Sequence, residues 1–184
     1  WELYAMWTWI PVFLLASFTA AGVDDPALAA LVAFAVVAVG GIGCVVAGLL
    51  ADRWGRTTVT IGAMAVSGSA AVVTALTFGA DPLVTTVAAL IWGVTVVADS
   101  AQFSTAVTEL TPAGTSGSAL TLQTAAGFTL TSVTILLVGS LGEAGGDAWR
   151  LAFILLALGP AVGIAAMWRL RRRPEATLMA GGKR

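Results

Sequence analysis

Apolar residues run along this chain in long unbroken stretches, without the apolar–polar alternation of a strand that has one wet face. Six stretches reach the roughly 20 residues that an α-helix needs to cross a bilayer. They span 1–22, 27–50, 58–79, 82–108, 117–141 and 149–170. Short clusters of Gly, Pro, Asp and Arg separate them, the usual punctuation between helices. In "DDPAL" and "ADPLV", Asp25 and Asp81 read as N-caps, with Pro26 and Pro82 in the first helical position. Pro11 and Pro160 fall inside helices and are expected to kink them, which membrane spans tolerate better than soluble helices do. A β-barrel is disfavoured because the runs do not alternate. The expected fold is an all-α membrane protein: a bundle of six transmembrane helices over 1–170, followed by a basic tail over 171–184.

Composition agrees. Of 184 residues, 58% are hydrophobic and only 10% charged, against roughly 25% charged in soluble domains. Mean hydropathy is +0.94. Too few charges remain to clothe a soluble surface. Net charge is −1, so nothing suggests nucleic-acid binding. The distribution of charge says more than its sum. Arg53 and Arg56 follow the second run, and Arg169, Arg171, Arg172 and Arg173 follow the sixth. If all six helices span, these lie on one side. The opposite breaks hold Asp24, Asp25, Asp81, Glu143 and Asp147, with Arg150 as their only basic residue. Positive residues mark the cytoplasmic side, so both chain ends are expected there. Trp1 stands first, and the chain reads as a piece of something longer, without its beginning.

The stretch "GLLADRWGRTTV" (Gly48 to Val59) sets one aspartate and two arginines directly after an apolar run. Asp52 closes a helix, where the dipole disfavours a negative charge, so Arg53, Arg56 or another helix's N-terminus must compensate it. Gly48 shares a face with Asp52 and lets a partner helix approach closely. Gly55 permits a tight turn. A charged latch between helices follows from that arrangement. The alternative is that the arginines only anchor the loop among lipid headgroups.

"GLLADRWGRT" resembles the loop motif of the major facilitator superfamily: a glycine, three residues, Asp-Arg, one residue, Gly-Arg, then a basic residue. Gly48, Asp52, Arg53, Gly55 and Arg56 match, whereas Thr57 stands where the family usually has a further basic residue. "TELTPAGTSGSAL" (Thr108 to Leu120) looks like that family's cytoplasmic "E-x-x-P…G-x-A" loop. Gly114, Thr115 and Ser116 replace the basic residues usual there, which argues against a salt-bridge latch in this second loop. The resemblance implies the C-terminal six-helix half of a twelve-helix transporter, working by alternating access. A missing N-terminal half would be its partner, with substrate held between the halves near the midplane. Asp52, Arg53 and Arg56 would then stabilise one facing state.

Ionisable groups inside spans are costly and mark function. Glu2, Met6, Trp9 and Phe13 follow helical spacing and are read as one face lining a cavity. There Glu2 would take up and release a proton; the other reading is an interfacial charge among Trp1, Tyr4 and Trp7. Asp99 lies well inside the fourth run, and Thr95, Asp99 and Gln102 share a face that suits a wet cavity. The competing reading pairs Asp99 with Arg53 or Arg56. Gln123, with Thr124, Phe128 and Thr131, is a softer candidate for the substrate or proton path. "GGIGCVVAG" carries Gly40, Cys44 and Gly48 as a small-residue ridge, and "SGSAA" gives the third run a smooth patch.

Rival classes find less support. "GTSG" (Gly114 to Gly117) matches the G-x-S-G string of intramembrane serine proteases, but the chain has no histidine and its one lysine, Lys183, is in the tail. Thr115 or Ser116 reads instead as a helix cap. Cys44 is alone and the carboxylates are scattered, so no metal or other cofactor is expected. No filter-like string suggests a channel. The expectation is a secondary active transporter of a small molecule, not an enzyme, proton-coupled through Glu2 or Asp99. It would reside in a cytoplasmic membrane of bacterial type. The alternative is a non-transporting scaffold, or a half-size protein that must dimerise.

Overall fold

In the computed structural model, which describes residues 1–183, six membrane-length helices form one bundle, and no strand occurs among the described residues. Three of the six spans are continuous: α1 (Leu3–Ala20), α4 (Arg56–Leu76) and α7 (Ser116–Gly142). The other three are each interrupted once. The second consists of α2 (Pro26–Ala38) and α3 (Gly40–Trp54), the fourth of α5 (Pro82–Val96) and α6 (Ser100–Leu110), and the sixth of α8 (Ala148–Leu156) and α9 (Leu158–Arg171).

Each break has a local cause. Gly40 and Gly41 follow Val39, and glycine is among the weakest helix formers. At Val97–Asp99 the chain tightens into i−3 hydrogen bonds, Ala98 N–H to the Thr95 carbonyl and Ser100 N–H to that of Val97. Pro160 has no N–H to offer the Leu156 carbonyl, and the sixth span breaks at Ala157. Pro11 produces no such interruption, since α1 runs through it. Asp25 and Asp81 cap α2 and α5, accepting from the Leu28 and Leu83 amides.

The second span outruns its sequence-based end at position 50 and carries Asp52 and Arg53 within the last turn of α3. The connection to α4 is the single residue Gly55, at φ +91°, a conformation that side-chain-bearing residues rarely adopt. Arg56 is therefore the first residue of a helix, not part of a loop.

Helix α4 is central, packing against α3, α5, α8 and α9. One side of α1 (Met6, Ile10, Phe13, Leu14 and Phe18) is fully buried. Phe13 stacks on Phe153 at 4.2 Å, and Trp92 meets the same ring edge-on at 5.3 Å. The second and fourth spans touch backbone to backbone. A Cβ on Gly43 would collide with the Val94 carbonyl, and one on Gly93 with the Val36 carbonyl. The small-residue ridge of the second span is thus Gly40 and Gly43. Gly48 has open space beside it, contrary to the close approach expected there. Leu31, Phe34, Ile42, Leu49, Leu136 and Val162 stay exposed, as suits helices whose solvent is lipid.

Beyond α9 the chain folds back over the bundle in short 3₁₀ turns, Pro174–Leu178 and Ala180–Gly182. Ala176 and Met179 are buried against Ala106, with Leu110 and Leu170 alongside. Of the basic tail expected at 171–184, Arg184 lies outside the described residues.

Candidate functional site

A cavity of about 370 Å³ opens among α1, α4, the break between α5 and α6, α7 and α9. Its size falls within the range of small-molecule sites. Glu2, at the start of α1, is 7% exposed, and its Oε1 accepts from Trp92 Nε1 at 2.6 Å and Ser67 Oγ at 2.8 Å. Ser67 lies near the middle of the 21-residue α4, so Glu2 sits deep in the bundle rather than in an interfacial belt. Asp99 reaches the same cavity because the fourth span breaks there, and its carboxylate is met by the local Asp99 and Ser100 amides and by Ser100 Oγ at 3.4 Å.

The fifth span supplies Gln123, Thr124, Phe128 and Thr131, all four on the cavity wall. The Oε1 of Gln123 is buried without a hydrogen-bond partner. Trp1, Tyr4, Phe103 and Phe128 contribute aromatic surface, and the Tyr4 and Phe128 rings lie 5.3 Å apart. No arginine or lysine side chain lines the cavity among the described residues.

A second polar assembly closes the end of the bundle where α3, α6 and α9 finish. Arg56 forks onto Glu109, Nε to Oε2 at 2.7 Å and NH2 to Oε1 at 2.9 Å. Its NH1 donates to Gln102 Oε1 at 2.9 Å. The guanidinium thus ties the start of α4 to two points on α6, one turn pair apart. Glu109 also accepts from the Ala180 amide at 3.3 Å, which joins the folded-back tail to the same cluster. Lys183 Nζ donates to the Asp52 carbonyl, and Arg171 NH1 donates to Thr58 Oγ1 at 2.8 Å.

Several residues singled out from the sequence lie elsewhere than expected. The faces predicted from ideal helical spacing fail where a span breaks. Asp99 turns to the cavity, while Gln102, 3% exposed, turns to Arg56, so the two do not share a wet face. Thr95 donates to the Ile91 carbonyl of its own helix. Trp9 lies away from the cavity. Its Nε1 donates to the Ile135 carbonyl at 3.0 Å, and its ring fills the space over Gly139. Met6 and Phe13 belong to the core. Asp52 and Arg53 are exposed and form no ion pair among the described residues; Arg56 takes Glu109 instead. Asp99 likewise does not pair with Arg53 or Arg56. Thr115 precedes α7 but caps nothing, its hydroxyl donating to the Pro112 carbonyl.

Glu109, Ser67 and Trp92 are the contributors that sequence reasoning did not select. For Glu109 a signal was present. A carboxylate in the last turn of a helix opposes the dipole and needs a cation close by. The basic residues missing from the loop after it were no guide, because its partner comes from α4.

A model of one protein family, described as Major Facilitator Superfamily, matches residues 3–183. No curated protein matches the chain.

Proposed function

This chain belongs to the Major Facilitator Superfamily, and on that premise we propose that it is one half of a secondary active transporter that moves a small molecule by alternating access. Membrane transport in general follows from the family and from six helices able to cross a bilayer. The finer reading is carried by one observation: a cavity deep among the spans whose wall holds two carboxylates, Glu2 and Asp99. Carboxylates at membrane depth are expensive and are kept for proton or substrate handling.

In this reading the bundle is the C-terminal half, and a second six-helix half closes the cavity from the other side. The order of loops supports that assignment, with the Gly55–Arg56 turn after the second span and Glu109 before Pro112 after the fourth. Arg56, Glu109 and Gln102 form the latch on the cytoplasmic side, taking the role first assigned to Asp52 and Arg53. The gathering of Arg53, Arg56, Arg169 and Arg171–Arg173 at one end, with Asp24, Asp25, Asp81, Glu143 and Asp147 at the other, supports an orientation with both ends cytoplasmic. Glu2 and Asp99 carry the coupling proton. The titratable groups facing them are each other, Tyr4, the Cys44 thiol and the amino group of Trp1.

A cysteine reporter tests this without knowledge of the substrate. Thr124→Cys on a Cys44→Ser background places one thiol on the cavity wall of protein reconstituted with defined orientation. An impermeant maleimide should label it from both faces, in a ratio that an imposed pH gradient shifts. The combined Glu2→Gln and Asp99→Asn variant should lose that shift. Labelling from one face alone would favour the scaffold reading. A shift that survives in the amide variant would remove proton coupling from these residues.

A further inference from the structure

We infer that the ligand of this cavity is an organic cation, a permanently or readily charged nitrogen or phosphorus centre on an aromatic or similarly bulky apolar body. The inference rests on the transport reading and deepens it. Its basis is an imbalance in the cavity wall. Two carboxylates face the space, and no arginine or lysine side chain among the described residues does. The nearby guanidinium of Arg56 is spent, its nitrogens donating to Glu109 and Gln102. An anionic ligand would meet two like charges, with the Trp1 amino group, itself beside Glu2 and Asp99, as the single positive group near them among the described residues. A neutral polyol would find Ser104, Gln123, Thr124 and Thr131, but it would leave both carboxylates without a counter-ion and the four aromatic side chains without an apolar body to cover.

The rest of the lining fits the other half of such a ligand. Tyr4, Phe103 and Phe128 offer ring faces, with Met64 beside them. Aromatic faces attract cations as well as apolar bodies, and more strongly when water is excluded. Two polar groups wait without partners. Gln123 Oε1 is buried and unpaired. The Thr131 hydroxyl, on a residue 9% exposed, lines the same space and takes no hydrogen-bond partner among the described residues. Both groups accept hydrogen bonds, as suits an N–H or a polarised C–H of a cationic centre. Buried groups of this kind are normally satisfied, so a ligand is the natural partner.

The carboxylates are unequal. Glu2 already receives two strong donors through Oε1, from Ser67 and Trp92, so its charge is partly answered by the protein. Asp99 is met only by its immediate backbone, the amides of Asp99 and Ser100, and by the Ser100 hydroxyl at 3.4 Å, with no donor from another helix. Asp99 is therefore the primary counter-ion, and Glu2 supports it from the deeper wall.

The test uses a charge-mirrored pair of probes, tetraphenylphosphonium and tetraphenylborate, which share shape and differ in sign. Binding to the full chain in phosphatidylcholine nanodiscs is measured by equilibrium dialysis, with empty nanodiscs subtracted. Tetraphenylphosphonium should bind saturably, and tetraphenylborate should show no saturable component. Asp99→Asn should weaken the cation at least tenfold, Glu2→Gln by less, and Asp99→Glu should restore most of the loss. That rescue separates lost charge from lost fold. Saturable tetraphenylborate binding, or cation binding indifferent to Asp99→Asn, would overturn the inference. The same preparations carry the Thr124→Cys reporter. If two-faced labelling persists while the cation fails to bind, only the ligand class falls; if both fail, the transport reading falls with it.

Discussion

Glu109→Gln removes one charge from the Arg56 fork and leaves its shape nearly intact. Two unit charges about 4 Å apart attract by about 4 kcal/mol at an effective dielectric constant near 20. The net value is smaller. Exposed pairs contribute about 0–1 kcal/mol, whereas stripping one partner from a buried pair costs about 3–5 kcal/mol. The two side chains are 12% and 26% exposed, which places this pair between those limits. A coupling near 2 kcal/mol follows, equivalent to a roughly thirtyfold change in an equilibrium constant. The assay is a double-mutant cycle of Arg56→Gln and Glu109→Gln, read as reversible unfolding of purified protein in mixed micelles. Arg56→Lys completes the set. It keeps the charge but cannot address both Glu109 oxygens and Gln102 in one fixed plane, so it should lose about 1 kcal/mol or more. A coupling below about 0.5 kcal/mol, or a lysine variant as stable as the parent, would refute the argument that the fork holds α4 to α6.

The glycines give an opposed pair of expectations. Gly43→Ala should destabilise by more than about 2 kcal/mol, because its Cβ meets the Val94 backbone and nothing flexible can yield. Gly48→Ala has open space and should gain up to about 1 kcal/mol of helix propensity; equal effects at the two sites, by the same micelle unfolding, would contradict this packing. Trp92→Phe keeps the ring against Phe153 but removes one of two donors to Glu2, so Glu2→Gln should be better tolerated in that variant than in the parent. Strict additivity of the two changes in thermal stability would argue against the contact. Met179→Gln puts an amide into the fully buried contact with Ala106 and should release the tail, seen as faster tryptic cleavage after Arg172; unchanged cleavage would mean the tail is not held there.

Much of the architecture is decided by composition and run length, since lipid demands that each crossing segment satisfy its own backbone. Six runs, the Asp25–Pro26 and Asp81–Pro82 helix starts and the turn at Gly55 all follow from local rules that need no partner. The family resemblance lay in the same local string, Gly48 to Thr57, which is why it was readable without a fold. Candidates that depended only on depth in a span, Glu2, Asp99 and Gln123, do meet around one cavity.

Direction around the helix axis was another matter. Ideal spacing put Gln102 with Asp99 and Trp9 with Glu2, yet a break of three residues at Val97–Asp99 swings Gln102 to Arg56, and Trp9 finds the bare face of Gly139. The choice of Glu109 over Asp52 as the partner of Arg56 depends on which helix end lies across from α4. Such pairings join residues 46 to 126 positions apart. They are set by how spans lean on one another, and a sequence carries that information only in the sum of all its contacts.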